Sequence, residues 1–305
     1  MRRVHLIAAM ALAPAIAAGA DFSGTWKLEN DFNGKVSNIY CTLVQAGDTL
    51  AGSCKPDIAG MEASKLVGTA KGSTAKWGYD VTFRGKPARV DYEVALESDG
   101  SIAGNLLRNG SPSPIKGQRK LAQGPFSTMH MLLRKTFLKL GVLTLDVRVD
   151  QPTRQRLAGL VEGRQYSPRL APQLGQTVMG AEHALIRMVF KRDVSLKRWI
   201  SEVRDNLAQA RKAKLISADV EQRIGANLPH SYASLQDRGY EEGDRLYYSV
   251  QPDAVHIILT DSEGKVLLER VDTEKEDRNV VLATYFAPGG DFREPLLRSL
   301  FAQRD

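Results

Sequence analysis

Residues 194–207 read VSLKRWISEVRDNL, and their spacing predicts one amphipathic helix. Ser195 is placed to cap it, and Leu196, Trp199, Ile200, Val203 and Leu207 recur at intervals of three and four, so they share a buried stripe. Asn206 follows Trp199 by seven residues and lies on the same side, two turns along the axis. By default a tryptophan on such a stripe packs into a core, and an amide beside it bonds to local backbone. No segment before residue 120 has this period, and that contrast divides the chain.

From Asp21 to about Arg119 the sequence runs as short strand-like segments, among them FSGTWKLEND, SNIYCTLVQAGDTLAGSC and ARVDYEVALESDGSIAGNLL. Turn dipeptides punctuate them at Asn33-Gly34, Gly47-Asp48, Lys71-Gly72, Arg84-Gly85 and Asp99-Gly100. A succession of hairpins has to close on itself or pack face to face to hide its edges. The expectation is an all-β unit, a small antiparallel barrel or sandwich, over residues 21–122. Its FSGTW opening and its alternation of strand and glycine turn resemble the lipocalin-like barrels of exported bacterial proteins.

Gly124-Pro125 breaks the pattern and puts the boundary near 120–125, with a second domain over 126–305. There the periods mix. In KLGVLTLDVRVD, residues 139–150, Leu143, Leu145, Val147 and Val149 fall on one face and Thr144, Asp146, Arg148 and Asp150 on the other. Residues 168–180 predict a helix behind a proline, and ALIRMVF at 184–190 a buried strand. After the helix at 194–207, another follows Ser217 and stops near Pro229. Residues 243–271 supply three strands, and APGGDFREPLLRSLFAQ a glycine turn and a terminal helix. The second domain is therefore read as α+β, with helices grouped against an antiparallel sheet.

The first twenty residues, MRRVHLIAAMALAPAIAAGA, read as a signal peptide: two arginines, an apolar run too short to span a bilayer, then small residues. The expected cut follows Ala20, which makes the protein periplasmic or secreted. No cysteine stands at that point to carry a lipid, and no later stretch is apolar and long enough for a transmembrane segment. Export governs the reading of Cys41 and Cys54, the only two cysteines. The turn Gln45-Ala46-Gly47-Asp48 lies midway between them, so a hairpin sets them face to face and a disulfide is expected.

The formal charge of the precursor is +7, and losing Arg2 and Arg3 with the leader leaves +5. The basic residues are interleaved with acids and accompany no aromatic platform, which excludes a nucleic-acid partner as the reading. His130, His183, His230 and His256 show no metal-ligand spacing. Neither GxSxG, a phosphate-binding loop, a dinucleotide fingerprint nor HExxH occurs. No metal or cofactor is expected.

Four segments, FLKLGVLTLDV (137–147), MVFKRDVSLKRWISEVRDNL (188–207), GDRLYYSV (243–250) and YFAPGGDFREPLLRSL (285–300), resemble in order the bacterial branch of the chalcone isomerase-like superfamily. The resemblance covers about residues 126–302. It implies an open-faced sheet with helices on one side and an apolar cleft between them. Members of that superfamily include plant enzymes that close the flavanone ring, proteins with no known catalysis, and fatty-acid binders that hold a carboxylate with an arginine and a tyrosine.

Carried onto this chain, the resemblance puts Gly141 where catalytic members have a threonine and Trp199 where they have a tyrosine, while Asn206 matches their asparagine. Arg134, in LLRKTF, is the best candidate for the arginine. Indole donates one hydrogen bond, accepts none and lacks the proton chemistry of a phenol. Tyr247 and Tyr248 must point to opposite faces of a strand, and Tyr247 is taken as the one that supports the arginine. The expected function is an exported, non-catalytic protein holding a fatty acid or similar amphiphilic carboxylate, with Arg134, Trp199, Asn206 and Tyr247 around it. The alternatives are an intramolecular lyase or isomerase of chalcone isomerase type, and a ligand-free protein whose N-terminal barrel docks an envelope partner.

Overall fold

The computed structural model describes residues 21–32, 35–58, 60–83, 85–135, 140–274 and 276–302. The leader with its cut after Ala20, the Asn33-Gly34 turn, Arg84 and residues 137–139 lie outside that range.

Eight strands form the first unit: β1 (Gly24–Phe32), β2 (Lys35–Ala46), β3 (Thr49–Pro56), β4 (Ser64–Lys71), β5 (Thr74–Phe83), β6 (Lys86–Leu96), β7 (Ile102–Arg108) and β8 (Ser111–Arg119). Each pairs antiparallel with the next, and β8 returns to β1 in the register Trp26 opposite Arg119, so the sheet is a closed barrel rather than a sandwich. Closure leaves no strand edge exposed. Alternate residues fill the interior, among them Trp26, Leu28, Trp77, Tyr92 and Ile102. Trp26 plugs the base, its Nε1 donating to the Phe22 carbonyl at 2.8 Å. Gly117 leaves room for the packed interior, since a Cβ there would lie 2.5 Å from Leu28 and 2.7 Å from Ile102. Cys41 and Cys54 are direct cross-strand partners on β2 and β3 and form a disulfide, as the hairpin reading expects.

The second unit is a six-stranded antiparallel sheet in the order β14-β13-β12-β11-β10-β9. Its strands are β9 (Thr128–Lys135), β10 (Leu140–Val149), β11 (Ala184–Phe190), β12 (Arg245–Val250), β13 (Val255–Thr260) and β14 (Val266–Asp272). Its helices are α1 (Gln151–Val161), α2 (Ala171–Met179), α3 (Leu196–Lys212), α4 (Ala218–Ser231), α5 (Asp277–Phe286) and α6 (Arg293–Ser299). Leu143, Leu145, Val147 and Val149 are buried together with residues from all six helices, so the helices cover one face of the sheet. Of the α3 stripe, Leu196, Trp199, Ile200 and Leu207 are buried and Val203 is half-buried, and the Ser195 side chain accepts the Arg198 N–H. Ala210, Ala283 and Ala287 pack together and let α3 and α5 approach closely.

Three features depart from the sequence expectations. Helices α1 and α5 were not anticipated; α4 ends near Pro229 as expected, with that proline inside it and its last residue at Ser231. The sheet's second face is also open only in part. Val44 and Leu121 of the barrel unit pack on Leu185, Tyr247 and Ile258, and β12 and β13 are consequently buried almost throughout. The seam is tied by Tyr247 OH donating to the Gln45 carbonyl at 3.1 Å and by Gln251 Nε2 donating to Thr42 Oγ1 at 2.6 Å. In the β13–β14 turn, Gly264 (φ +94°) comes so near the Ala46 carbonyl that a Cβ would lie 2.6 Å from it. Among the described residues no helix is long and apolar enough to cross a membrane, and no group of three or more metal-ligating side chains is gathered.

Candidate functional site

Two small cavities lie side by side between the helix-covered face of the sheet and the layer of α3 and α5. The first, about 40 Å³, is walled by Leu133, Val142, Leu143, Phe190, Trp199 and Asn206. The second, about 70 Å³, lies toward α4 and β14 and is walled by Leu228, Tyr232, Tyr248, Ile257, Arg270 and Val280. Val203, Thr284 and Tyr285 line both and form the partition between them.

The predicted site residues divide across the sheet. Trp199 and Asn206 do share a cavity. Trp199 is also a core residue: its ring meets Phe190 edge-on at 5.6 Å and Tyr240 at 5.1 Å. Its Nε1 is buried without a hydrogen-bond partner. Asn206 turns its Nδ2 to the Glu202 carbonyl one helical turn earlier, at 2.9 Å, so that donor is committed to its own helix.

Arg134, Gly141 and Tyr247 are elsewhere, and strand alternation is the reason. Leu133 faces the first cavity, so Arg134 beside it faces away and is exposed. Gly141 pairs with Arg134 across the β9–β10 ladder, and a Cβ on it would touch Leu132 on that same outer face. Tyr247 points into the seam with the barrel, where burial pushes its phenol up to about 12. Its neighbour Tyr248 is the one that faces the helices.

What gathers around the second cavity is a set of tyrosines with one arginine. Tyr232 and Tyr248 are joined through their hydroxyls at 3.0 Å. Tyr285 lies 6.3 Å from Tyr248, ring to ring, and donates to Met188 Sδ at 3.6 Å. Burial raises the pKa of all three phenols, so they are neutral donors at physiological pH. Arg270 reaches in from edge strand β14, opposite Ile257, and sits over the Tyr232 ring at 5.5 Å. Its Nη2 pairs with Asp272 Oδ2 at 3.0 Å, while its Nε is buried without a partner.

Two carboxyls share that mouth. Burial raises Asp272, with Arg270 opposing and Glu274 adding to the rise; burial also raises Asp277, reinforced by Asp272 and Glu274. The arrangement offers one guanidinium, neutral phenol donors and two carboxyls of raised pKa at the end of an apolar space. Arg270 was missed because the sequence reading weighed only the arginine before β10. The alternation in VLLERVD, which puts Leu268 and Arg270 on one face, was the available signal. Compared with models of known protein families and with curated proteins, the chain matches none.

Proposed function

We propose that the protein is exported and that its second unit, a non-catalytic relative of the chalcone isomerase-like superfamily, holds a fatty acid or similar amphiphilic carboxylate in the cleft under α3 and α5. The observation that carries this reading is Arg270: a guanidinium over Tyr232, with a buried and unpartnered Nε–H, at the edge of an apolar cavity. A carboxylate there gains charge-assisted hydrogen bonds, and each methylene it buries contributes about 0.8 kcal/mol. The anchor in this reading is Arg270, helped by Tyr232 and Tyr248, in place of Arg134 and Tyr247.

The six-stranded antiparallel sheet with helices on one face agrees with the implied fold. The disulfide and the lack of a membrane-spanning helix among the described residues agree with export to the periplasm or the medium. Gly141 and Trp199 supply none of the polar groups that the catalytic members use, which favours binding over turnover. Because pockets for organic ligands measure about 300 Å³ or more, an acyl chain must displace the partition of Val203, Thr284 and Tyr285 and join the two cavities.

The test is native mass spectrometry and lipid extraction of the purified mature protein, followed by titration with dodecanoate. Acyl chains released from the protein, or saturable binding of dodecanoate, are expected. A protein that is purified empty and ignores added fatty acid overturns the proposal.

A further inference from the structure

A third cleft, of about 370 Å³, opens at the seam between barrel and sheet, away from the acyl cleft, with Asp21, Leu96, Arg119, Gln123, Ser127 and Arg148 in its walls. Two arginines converge there from different units. Arg119 ends β8 and stacks over the Trp26 ring at 4.6 Å, which fixes its guanidinium at the base of the barrel. One of its N–H groups donates to the Asp21 carbonyl, whereas Nε is buried with no hydrogen-bond partner. Arg148, on the outer face of β10, places Nη1 3.4 Å from Asp21 Oδ2. That carboxylate already accepts the Ser23 N–H at 2.9 Å through its other oxygen.

The Asp21 carboxylate thus pairs with Arg148 while Arg119 holds the Asp21 backbone carbonyl, and the three charged side chains of the cleft sum to +1. Burial, against the pull of Asp21 and with the push of Arg148, lowers the Arg119 pKa to about 10. The remaining wall is the stretch that joins the two units. Gly124 (φ +79°) and Phe126 (φ +64°) both adopt left-handed backbone, a conformation that is strained for a non-glycine residue. The Ser127 hydroxyl locks the turn by donating to the Gly124 carbonyl at 2.6 Å. A strained connection held beside two arginines and an unmatched buried N–H is a built feature, since an isolated buried donor costs free energy until an acceptor reaches it.

We infer that this seam cleft is a binding site for a small oxyanion, a phosphate or carboxylate group, gripped between Arg119 and Arg148. The anion accepts from the two guanidiniums and balances the excess charge. Guanidiniums suit both the tetrahedral and the planar group.

Isothermal titration of the full mature chain with inorganic phosphate, and separately with succinate, at neutral pH and constant ionic strength tests this and tells the two chemistries apart. Saturable one-site binding of at least one of them is expected. Arg148→Gln and the conservative Arg119→Lys should each weaken it about tenfold or more, as loss of a charge-assisted contact does, while Arg134→Gln leaves it unchanged. Absence of saturation at millimolar concentrations of either anion, or undiminished affinity in a folded Arg148→Gln, overturns the inference.

Discussion

Arg204 and Pro229 meet at a single carbonyl. Pro229 lies inside α4 and has no N–H to give the Gly225 carbonyl four residues earlier. Arg204, projecting from α3, donates to that oxygen from both Nε and Nη2, at 3.1 and 2.9 Å. The guanidinium replaces the missing helical hydrogen bond and ties the two helices together. That replacement is why α4 continues past a residue that ends most helices.

Arg204→Met should therefore destabilise the protein by about 1 kcal/mol, the net value of such a hydrogen bond at an exposed site. In a Pro229→Ala background, residue 229 recovers an N–H for the Gly225 carbonyl, and the cost of Arg204→Met should shrink. A double-mutant cycle by urea denaturation measures this coupling. Equal costs in both backgrounds would show that the guanidinium acts only through packing.

The disulfide closes a hairpin whose cysteines are thirteen residues apart and wholly buried inside the barrel. Replacing both by alanine should cost about 3 kcal/mol, the value expected for a loop of this length. Burial shields the sulfurs, so mild reductant should leave the native protein intact and act only once denaturant opens the barrel. Chemical denaturation with and without reductant separates the two effects.

The periods of the sequence were enough for the barrel strands, for β10 and for the buried stripe of α3, because in each the pattern is imposed by one buried and one exposed face. They fail where burial is two-sided. In α5, DRNVVLATYF, burial from Val280 through Phe286 is almost continuous and the two valines favour a strand, so no helical stripe stands out. Helix α1 carried a readable signal, Asp150 capping Thr153 ahead of Pro152, but few buried positions to support it. At the candidate site, Tyr247 and Tyr248 were recognised as facing opposite ways. Which face looked inward depends on the barrel seated behind β12, a tertiary fact that periodicity does not carry.

His183 predicts how stability follows pH. Burial, with Lys120 adding to it, lowers its pKa below the ordinary 6.5 despite Asp150 and Glu182 nearby, and its Nδ1 has no hydrogen-bond partner. Above 6.5 the imidazole is neutral in both the folded and unfolded chains and costs nothing. As pH falls from 6.5 through the lower folded value, the unfolded chain takes up a proton that the folded one still refuses, so stability declines. Thermal melting between neutral and mildly acidic pH should show this decline in the wild type and a flatter profile in His183→Gln. Asp272 and Asp277 act in the opposite sense at lower pH, since their raised values favour the folded state on protonation, and the pairwise comparison cancels them.

The two arginines weighed for the carboxylate make opposite predictions for dodecanoate binding. Arg134 is exposed on the outer face and Arg270 borders the apolar cavity. Arg134→Gln should leave affinity unchanged, and Arg270→Gln should weaken it about tenfold or more, equivalent to at least about 1.4 kcal/mol. Asp272 gives a readout that a structural role for Arg270 would not produce. Its ionised carboxylate competes for the guanidinium at 3.0 Å and repels a second anion, whereas its protonated form removes the repulsion and can donate to the ligand. Affinity should consequently rise as pH falls toward the raised Asp272 value, and Asp272→Asn should bind more tightly at neutral pH with a flatter pH profile. Val203→Phe, thickening the partition between the cavities, should block the acyl chain while leaving Arg270 in place. If Arg270→Gln and Asp272→Asn both bind as the wild type does, the head group lies elsewhere, even if an acyl chain occupies the cleft.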